Sequence, residues 1–294
     1  MKEKTVYALG YFDGVHIGHQ ALLQACLTLS QDLNAKPGVV TFVGHPQALT
    51  QGKAPVLINS LPDRRRLLEQ QGAQRIVCLP FDEEMMHMPW QAFLQMLIEK
   101  HQAAGLVCGD DFRFGYRGEG TAQLLAQACR EAGIACQVIP EQAYQGVRVS
   151  STHIRELLEQ GRMETAYCFL GHPHVLTARV VPGKQLGRTL GIPTANLQLP
   201  DGVVCPGKGV YACKASANGQ TYLAVTNIGT RPTVSGEGVS IEVWLLDFVG
   251  DLYGKEITVE FYAFLRPEQK FASLADLKAE IQKNAQQTRK ILQK

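Results

Sequence analysis

The chain has 294 residues with 29 basic and 27 acidic side chains, so its formal net charge is only +2. Such a balance argues against a protein that binds nucleic acid or a membrane surface through a strong positive field. Apolar residues make up 45% of the chain, enough for packed cores in one large or two ordinary domains. The first residues lead directly into a strand pattern without a signal-peptide core, and no segment approaches the ~18 apolar residues of a membrane span. We therefore expect a cytoplasmic protein, whose oligomeric state the sequence leaves open.

The cysteine pattern bears on possible disulfides and metal sites. Eight cysteines are scattered among apolar neighbours, and none belongs to a CxxC pair. Cys26, Cys78 and Cys108 fall at apolar positions of predicted helices or strands. Buried thiols are therefore favoured over disulfides or zinc.

The most informative stretch follows the first predicted strand, 5–9, and reads Gly10-Tyr11-Phe12-Asp13-Gly14-Val15-His16-Ile17-Gly18-His19. Apolar residues in 20–33 recur at three- and four-residue steps and predict a helix. Glycines allow close backbone approach and positive φ, and the free amides at a helix start form an anion site. His16 and His19 would lie on one side of the opening turn, where both imidazoles could reach the same phosphate oxygens. A plain glycine-rich turn with surface histidines and, more weakly, a zinc pair stay open as alternatives.

Strand and helix patterns alternate through the rest of the first half. A helix starting after Ser60 carries three consecutive arginines, which we interpret as a solvated face, with the alternative that one of them reaches a phosphate. The alternation predicts a parallel sheet with helices on both faces and ligands at the carboxyl ends of its strands. We predict further strands at 37–43, 75–79, 105–109 and 134–139, and further helices at 89–101, 121–132 and 151–160.

Three more motifs fall at or beyond the ends of these strands: TFVGHP at 41–46, GDDFRFGYRG at 109–118 and VSSTHIR at 149–155. By themselves, the serines could be only a helix cap and the aromatic residues only core. Together with the first motif, and in this order, they resemble the HxGH, TFxxHP, GxDFxFG and SSTxIR motifs of bacterial FMN adenylyltransferases. The resemblance implies catalytic roles for His16 and His19 and places the adenine or flavin near Asp111, Phe112 and Arg113. It implies ATP binding by Gly10, Phe12, Asp13, Gly14, Ser151, Thr152 and Arg155.

The pattern changes after Gly171-His172-Pro173, and from there on it predicts mainly strands. They are expected at 175–181, 209–217, 222–227, 239–246 and 257–265, followed by one helix at 273–293. We predict a small antiparallel β-barrel covered by that helix. The expected domains are therefore 1–172, an α/β nucleotidyltransferase-like unit, and 173–294, the barrel.

Two features of the second half point to chemistry. The loop GRTLGIPTAN at 187–196 could cradle phosphate and place oxygen ligands on Mg²⁺, although a plain polar loop is the alternative. In the strand at 239–246 the apolar residues alternate, which puts Glu242 on the opposite face with Ser240 and Trp244. An exposed strand glutamate with no role is the alternative there. No GxxxxGK[ST] motif occurs, so a kinase in this chain would not be a P-loop enzyme.

These features, with TNIGTRPT at 226–233, IEVWLLDF, GDLYGK and FLRPEQKF, resemble the riboflavin kinase domain from end to end. The resemblance implies that Glu242 is the catalytic base and that Thr194 and Asn196 bind Mg²⁺. It implies an ATP site at Gly187, Gly191, Pro193, Thr194 and Asn196. Trp244 stands where the family often has histidine and Asn284 where an acid is common, and the sequence leaves open whether they alter flavin binding.

The whole chain thus resembles the bacterial bifunctional riboflavin kinase and FMN adenylyltransferase family. This implies two ATP-dependent steps, riboflavin to FMN and then FMN to FAD with release of pyrophosphate. One alternative is a riboflavin kinase whose first domain is inactive or uses another nucleotide acceptor. A second is a flavin- or nucleotide-binding regulator without turnover. The near-neutral charge disfavours a nucleic-acid binder.

Overall fold

The computed structural model describes residues 4–183, 191–233 and 236–293. The chain divides into two compact units, Met1–Val56 with Leu61–Ser151, and Leu57–Ser60 with Thr152–Lys294. Within the described ranges, no helix has both the length and the apolar content needed to cross a membrane.

The first unit is built around a five-stranded parallel sheet with the strand order β3-β2-β1-β4-β7. Its central strands are apolar almost throughout, as expected of a parallel sheet that is covered on both faces. The strands of this sheet are β1 (Thr5–Leu9), β2 (Lys36–Val43), β3 (Arg75–Pro80), β4 (Ala103–Gly109) and β7 (Ala135–Ile139). Two short hairpins are formed by β5 (Arg113–Phe114) with β6 (Gly120–Thr121) and by β8 (Ala143–Tyr144) with β9 (Val147–Arg148).

Helices cover both faces of this sheet, as the alternating pattern predicts. On one face, Cys26 of α1 contacts the backbone of β1 and β2 through its thiol. On the other, Phe93 and Leu97 of α5 and Leu125 of α6 share a core with Tyr7 and other strand residues. The helices are α1 (Ile17–Asp32), α2 (Pro46–Gln51), α3 (Leu61–Gln70), α4 (Glu83–His87), α5 (Trp90–Glu99) and α6 (Ala122–Glu131).

The second unit contains a closed six-stranded barrel with the order β10-β11-β14-β13-β12-β15. All neighbouring strands that pair in it are antiparallel. Its elements are α7 (Ser151–Glu159), α8 (Met163–Leu170), β10 (His174–Val181), β11 (Ala195–Gln198), β12 (Gly209–Ala217), β13 (Gln220–Thr233), β14 (Gly236–Leu245), β15 (Glu256–Arg266) and α9 (Leu274–Leu292). The first residue of α7, Ser151, still belongs to the first unit.

Helices α7 and α8 group with the barrel because their backbone and side chains bond to it. The Gly207 N–H donates to the carbonyl of Leu158 in α7, and the Phe264 N–H donates to the carboxylate of Glu164 in α8. Residues 152–172, which the sequence assigns to the first domain, therefore lie with the second compact unit. The functional limits 1–172 and 173–294 stay a prediction.

The final helix, α9, covers one side of the barrel as predicted. Ala285 packs with Val210, Val225 and Leu246, and Trp244 joins this cluster. Asn284 is buried and accepts a hydrogen bond from Arg266 Nε at 3.2 Å. Asn284 thus connects the helix to β15 as a structural residue.

All eight cysteines are free thiols. Cys26, Cys108, Cys129 and Cys213 are buried and the other four are half-buried. The prediction of buried thiols is therefore confirmed for four of the eight cysteines, among them Cys26 and Cys108, whereas Cys78 is only half-buried.

Candidate active sites

The HxGH turn joins β1 to α1 and brings its two histidines into contact. The rings of His16 and His19 stack with centroids 3.6 Å apart and planes 14° apart. His16 is the N-cap of α1, since its Nδ1 accepts the His19 backbone N–H at 3.3 Å. The prediction that both imidazoles lie together at the start of the helix is confirmed.

Two of the glycines in this turn have separate reasons to be glycine. Gly14 has φ of 82°, in the left-handed region. Gly18 has an ordinary φ, but a Cβ there would lie 3.2 Å from Cε1 and Nδ1 of His16. The absence of a side chain at Gly18 therefore leaves the space that the His16 ring occupies.

His19 lies in an environment that disfavours its charged form. Burial is the main cause, and the nearby His16 and Arg64 add to it, so the pKa of His19 is held well below its usual value. Its Nδ1 has no hydrogen-bond partner within the described part of the chain. At neutral pH His19 therefore acts as a neutral imidazole rather than as a cation.

The turn opens onto a cavity of about 930 Å³ that lies wholly within the first unit. That volume is near the upper end of typical small-molecule sites. It is lined by the carboxyl ends of the central strands, where a parallel sheet is expected to bind ligands. The predicted site residues that line it are Gly10, His16, His19, Asp111, Phe112, Arg113 and Ser151.

Phe12, Asp13 and Gly14 lie beneath this surface rather than on it. Phe12 and Asp13 are buried, and the Phe12 ring is tilted against His19 with centroids 5.1 Å apart. The Asp13 carbonyl accepts the Ser151 hydroxyl at 3.0 Å, which joins the SSTHIR segment to the HxGH turn. ATP binding by these residues stays a prediction.

Thr152 and Arg155 follow Ser151 on α7 and contact each other. Arg155 Nη2 donates to Thr152 Oγ1 at 3.0 Å. Both belong to the second compact unit, whereas Ser151 is the last residue of the first. Their predicted contact with ATP phosphates also stays a prediction.

Another part of the cavity lining is aromatic and charged. Phe112 stacks on Phe114, with centroids 5.4 Å apart. Asp111 accepts a hydrogen bond from Arg148 at 2.9 Å, and Arg148 also pairs with Glu141. The sequence analysis missed Arg148, because it lies on a two-residue hairpin strand that carries no motif.

Arg64 contradicts the sequence interpretation. The three arginines at 64–66 were expected to form a solvated face, but Arg64 is only 2% exposed. Its guanidinium donates to the Tyr11 carbonyl at 2.8 Å and to the Phe42 carbonyl at 2.9 Å. The two backbone acceptors offset the cost of burying the charged head. Arg65, in contrast, is exposed.

The candidate kinase site in the second unit centres on Glu242 of β14. Glu242 is half-buried while Ile241 and Val243 on either side are buried, so the predicted alternation of faces is confirmed. Its Oε1 accepts the Ser240 hydroxyl at 3.2 Å, and its Oε2 accepts the Thr194 hydroxyl at 3.4 Å. The PTAN loop and the strand glutamate, far apart in sequence, thus meet.

The strand register places two asparagines beside Glu242. Asn196 of β11 lies directly opposite it on one side and Asn227 of β13 on the other. A Cβ at Gly183 would lie 2.2 Å from Asn196 Nδ2, so that glycine leaves room for the amide. Asn227 was not selected from the sequence, although it belongs to the TNIGTRPT stretch. Pairing that stretch with IEVW would have pointed to it.

A second cavity, of about 390 Å³, adjoins this row of polar residues. It is lined by Gly191, Pro193, Thr194 and Asn196, and by the loop 248–253. The predicted ATP-site residues at 191–196 therefore share one pocket. Gly187 lies outside the described residues.

Two family models match the chain, one for each half. The model described as FAD synthetase matches residues 1–153, and the model described as riboflavin kinase matches residues 170–292.

Similar proteins extend over nearly the whole chain. A bifunctional riboflavin kinase/FMN adenylyltransferase from Escherichia coli strain K12 is 41% identical over 283 residues, 95% of this chain and 90% of that protein. One with the same description from Bacillus subtilis strain 168 is 35% identical, covering 97% of this chain and 91% of its own length. A crystal structure described as a macrolide-efflux protein from Streptococcus pneumoniae superposes with a TM-score of 0.88 at 30% identity, covering 98% of this chain and 95% of that one. The shared architecture therefore includes both units.

Proposed function

The chain belongs to the family of bifunctional riboflavin kinase/FMN adenylyltransferases, and from this premise we propose which residues perform each of its two steps. It phosphorylates riboflavin with ATP to give FMN, and it transfers the adenylyl group of a second ATP to FMN to give FAD and pyrophosphate. The observation that carries this interpretation is the presence of two separate sites. One is the histidine pair in the first unit, and the other is the row of Asn196, Glu242 and Asn227 in the second. The kinase-only alternative is disfavoured, because both halves match their family models.

In the kinase step the nucleophile is the terminal ribityl hydroxyl of riboflavin, which is neutral and must lose a proton as it attacks the γ-phosphorus. Glu242 is the proposed base. Its two carboxylate oxygens are oriented by Ser240 and Thr194, which leaves further lone pairs free to accept the substrate proton. Held on a strand of a closed barrel, this carboxylate needs little reorganisation before the reaction.

The residues around Glu242 fit a magnesium ion that arrives with ATP. Thr194 and Asn196 supply neutral oxygen donors beside a carboxylate, and Mg²⁺ prefers oxygen ligands shared between a few protein groups and phosphates. When bound, the ion would neutralise charge that grows on the β- and γ-phosphate oxygens. Gly191 and Pro193 are the proposed walls of the same ATP site, and Gly187 is assigned to it from the sequence alone.

In the adenylyl step the nucleophile is the phosphate of FMN, which is already ionised near neutral pH, so no base is required. The barrier comes from repulsion between anions and from charge on the leaving pyrophosphate. His16 and His19, with the free amides at the start of α1, are proposed to stabilise that charge by hydrogen bonds. Ser151, Thr152 and Arg155 are proposed to hold the phosphates, and Asp111, Phe112 and Arg113 the ring systems.

A chromatographic time course tests this assignment. The purified chain is incubated with riboflavin, ATP and Mg²⁺, and riboflavin, FMN and FAD are separated at intervals. We expect FMN first and FAD afterwards. Accumulation of FMN without FAD would refute the role of the first unit, and failure to form FMN would refute that of the barrel. Omitting Mg²⁺ and adding a chelator should stop phosphorylation if the metal proposal is right.

A cytoplasmic location is part of the proposal. It is supported by the eight free thiols, which are usual in a reducing compartment. Fractionation of the source cells, with the chain detected by antibody, would test it.

A further inference from the structure

Arg64 of α3 lies behind the HxGH turn and links the ends of two strands. Its Nη1 donates to the carbonyl of Tyr11, just beyond β1, and its Nη2 donates to the carbonyl of Phe42, near the end of β2. Its Cζ also lies 4.5 Å from the centroid of the Tyr11 ring. One guanidinium therefore bridges the start of the HxGH turn, just beyond β1, and the end of β2.

The Tyr11 carbonyl has a second donor. The Thr41 hydroxyl donates to it at 2.8 Å, the same distance as Arg64 Nη1. Two donors on one carbonyl set the orientation of the peptide plane that joins Tyr11 to Phe12. Phe12 then has φ of 60°, a left-handed conformation that a phenylalanine rarely adopts and that surrounding contacts must hold.

The ring of Phe12 connects this peptide to the histidines by direct contact. It packs beneath Gly10, where a Cβ would lie 3.1 Å from the ring, and it is tilted against His19 at 5.1 Å between centroids. His19 in turn stacks on His16. A continuous series of contacts therefore runs from the Arg64 guanidinium to the two imidazoles.

Arg64 is also a buried basic side chain. Its partners in the described part of the chain are two carbonyls and the Tyr11 side chain, none of them a carboxylate, and its Nε has no hydrogen-bond partner there. The charge adds to the effects that keep His19 neutral.

We propose that Arg64 is a positioning residue for adenylyl transfer: it holds the peptide after Tyr11, and through Phe12 the His19 ring, in the arrangement that meets the phosphates, without touching the substrate itself. This inference rests on the proposed function of the first unit. It also explains why a basic side chain lies on the buried face of α3, where Leu67 and Leu68 supply the ordinary apolar contacts.

The test compares Arg64→Met with Arg64→Lys and with the matched control Arg65→Met, the exposed neighbour on the same helix. FAD formation from added FMN and ATP is measured over a range of ATP concentrations. Riboflavin phosphorylation by the same samples reports on the integrity of the other unit. A wild-type chain that forms no FAD would overturn the proposed function and this inference together. If the wild-type chain forms FAD, a difference between it and the Arg64 variants reports on Arg64 alone.

For Arg64→Met we expect kcat for FAD formation to fall about 10²-fold, the scale of a misplaced catalytic group, while KM for ATP is unchanged. Arg64→Lys should recover part of the loss, because an ammonium can reach one of the two carbonyls. Arg65→Met should match the wild type. An unchanged kcat in folded Arg64→Met would overturn the inference, and so would a higher KM at constant kcat, which would make Arg64 a substrate-binding residue.

If Arg64→Met does not fold, a second variant tests whether the orientation of the Tyr11 carbonyl matters for FAD formation. Thr41→Val removes the other donor to the Tyr11 carbonyl and leaves the guanidinium in place. We expect kcat for FAD formation to fall about tenfold, the value of one hydrogen bond, at unchanged KM. A Thr41→Val chain with wild-type kcat would overturn the inference.

Discussion

The ring centroids of His16 and His19 lie 3.6 Å apart, and His16 Nδ1 accepts the backbone N–H of His19 at 3.3 Å. Because Nδ1 is the acceptor, a neutral His16 carries its proton on Nε2 and can donate from there. Each ring limits the motion of the other, and α1 holds both. The pair is therefore arranged before any substrate binds.

Gly18→Ala should disturb this arrangement. The added methyl would lie 3.2 Å from the His16 ring and would push the imidazole out of its stack with His19. We expect kcat for FAD formation from FMN to fall by about 10²-fold, as for other small displacements of catalytic groups. Gln24→Ala, at an exposed position of the same helix, is the control. Wild-type FAD formation by Gly18→Ala would show that the position of the His16 ring does not matter.

His19→Ala should abolish FAD formation and leave FMN formation from riboflavin at its wild-type rate, because the two sites lie in different units. Both rates are read from one chromatogram with riboflavin and ATP as substrates. Continued FAD production would contradict the role of this histidine. A parallel loss of both products in a chain with an unchanged circular dichroism spectrum would contradict the division of labour.

Glu242→Gln should have the opposite effect. The amide keeps the shape of the side chain but cannot accept the ribityl proton as a base, so riboflavin phosphorylation should fall by roughly 10² to 10⁴. FAD formation from added FMN should survive. Glu256→Gln, an exposed glutamate of β15, is the matched control. Substantial kinase activity in Glu242→Gln would assign the base to another group.

His174 predicts how the stability of the barrel depends on pH. Burial, with a smaller effect of His172, lowers the pKa of His174 to about 3. The unfolded chain, with a pKa near 6.5, therefore takes up a proton first as the pH falls. The free energy of unfolding should drop below about pH 6.5 by up to ~1.4 kcal/mol per pH unit, or about 2 kcal/mol by pH 5, and level off near pH 3.

Urea unfolding at pH 7 and pH 5 measures this effect. Trp244 fluorescence reports on the barrel in a chain that carries Trp90→Phe. His174→Phe fills the same buried space without a titrating group, so it should lose less stability between the two pH values. Equal losses in both chains would mean that His174 does not titrate as proposed.

Local sequence patterns predicted the regular elements well where burial and periodicity agree. Strand β1 was predicted at its observed limits, Thr5–Leu9, and the prediction of α9 differed by one residue at each end. Strand β11 (Ala195–Gln198) was missed. It is short and follows Pro193 in a motif that resembles a loop, and its pairing with β10 and β14 is what makes it a strand.

The candidate sites were predictable in composition but not in their supporting contacts. The histidines, Thr194 and Glu242 belong to motifs, so their residue types and spacing identified them. Arg64 was misplaced because an arginine in a polar helix segment is usually exposed. Its burial depends on two carbonyls that lie 53 and 22 residues earlier in the chain, and no local pattern encodes such partners.

The row formed by Asn196, Glu242 and Asn227 restricts which insertions β14 can accept. Side chains alternate along a strand, so inserting one residue into β14 ahead of Glu242 would turn its carboxylate to the face now occupied by Ile241 and Val243. Inserting two would restore the face but shift the carboxylate by about 7 Å along the strand. In a closed barrel no free edge exists to absorb the shift. The length of β14 is therefore part of what positions the candidate kinase site, and length variation is expected in loops that carry none of its residues, unlike the loops with Thr194 and 248–253.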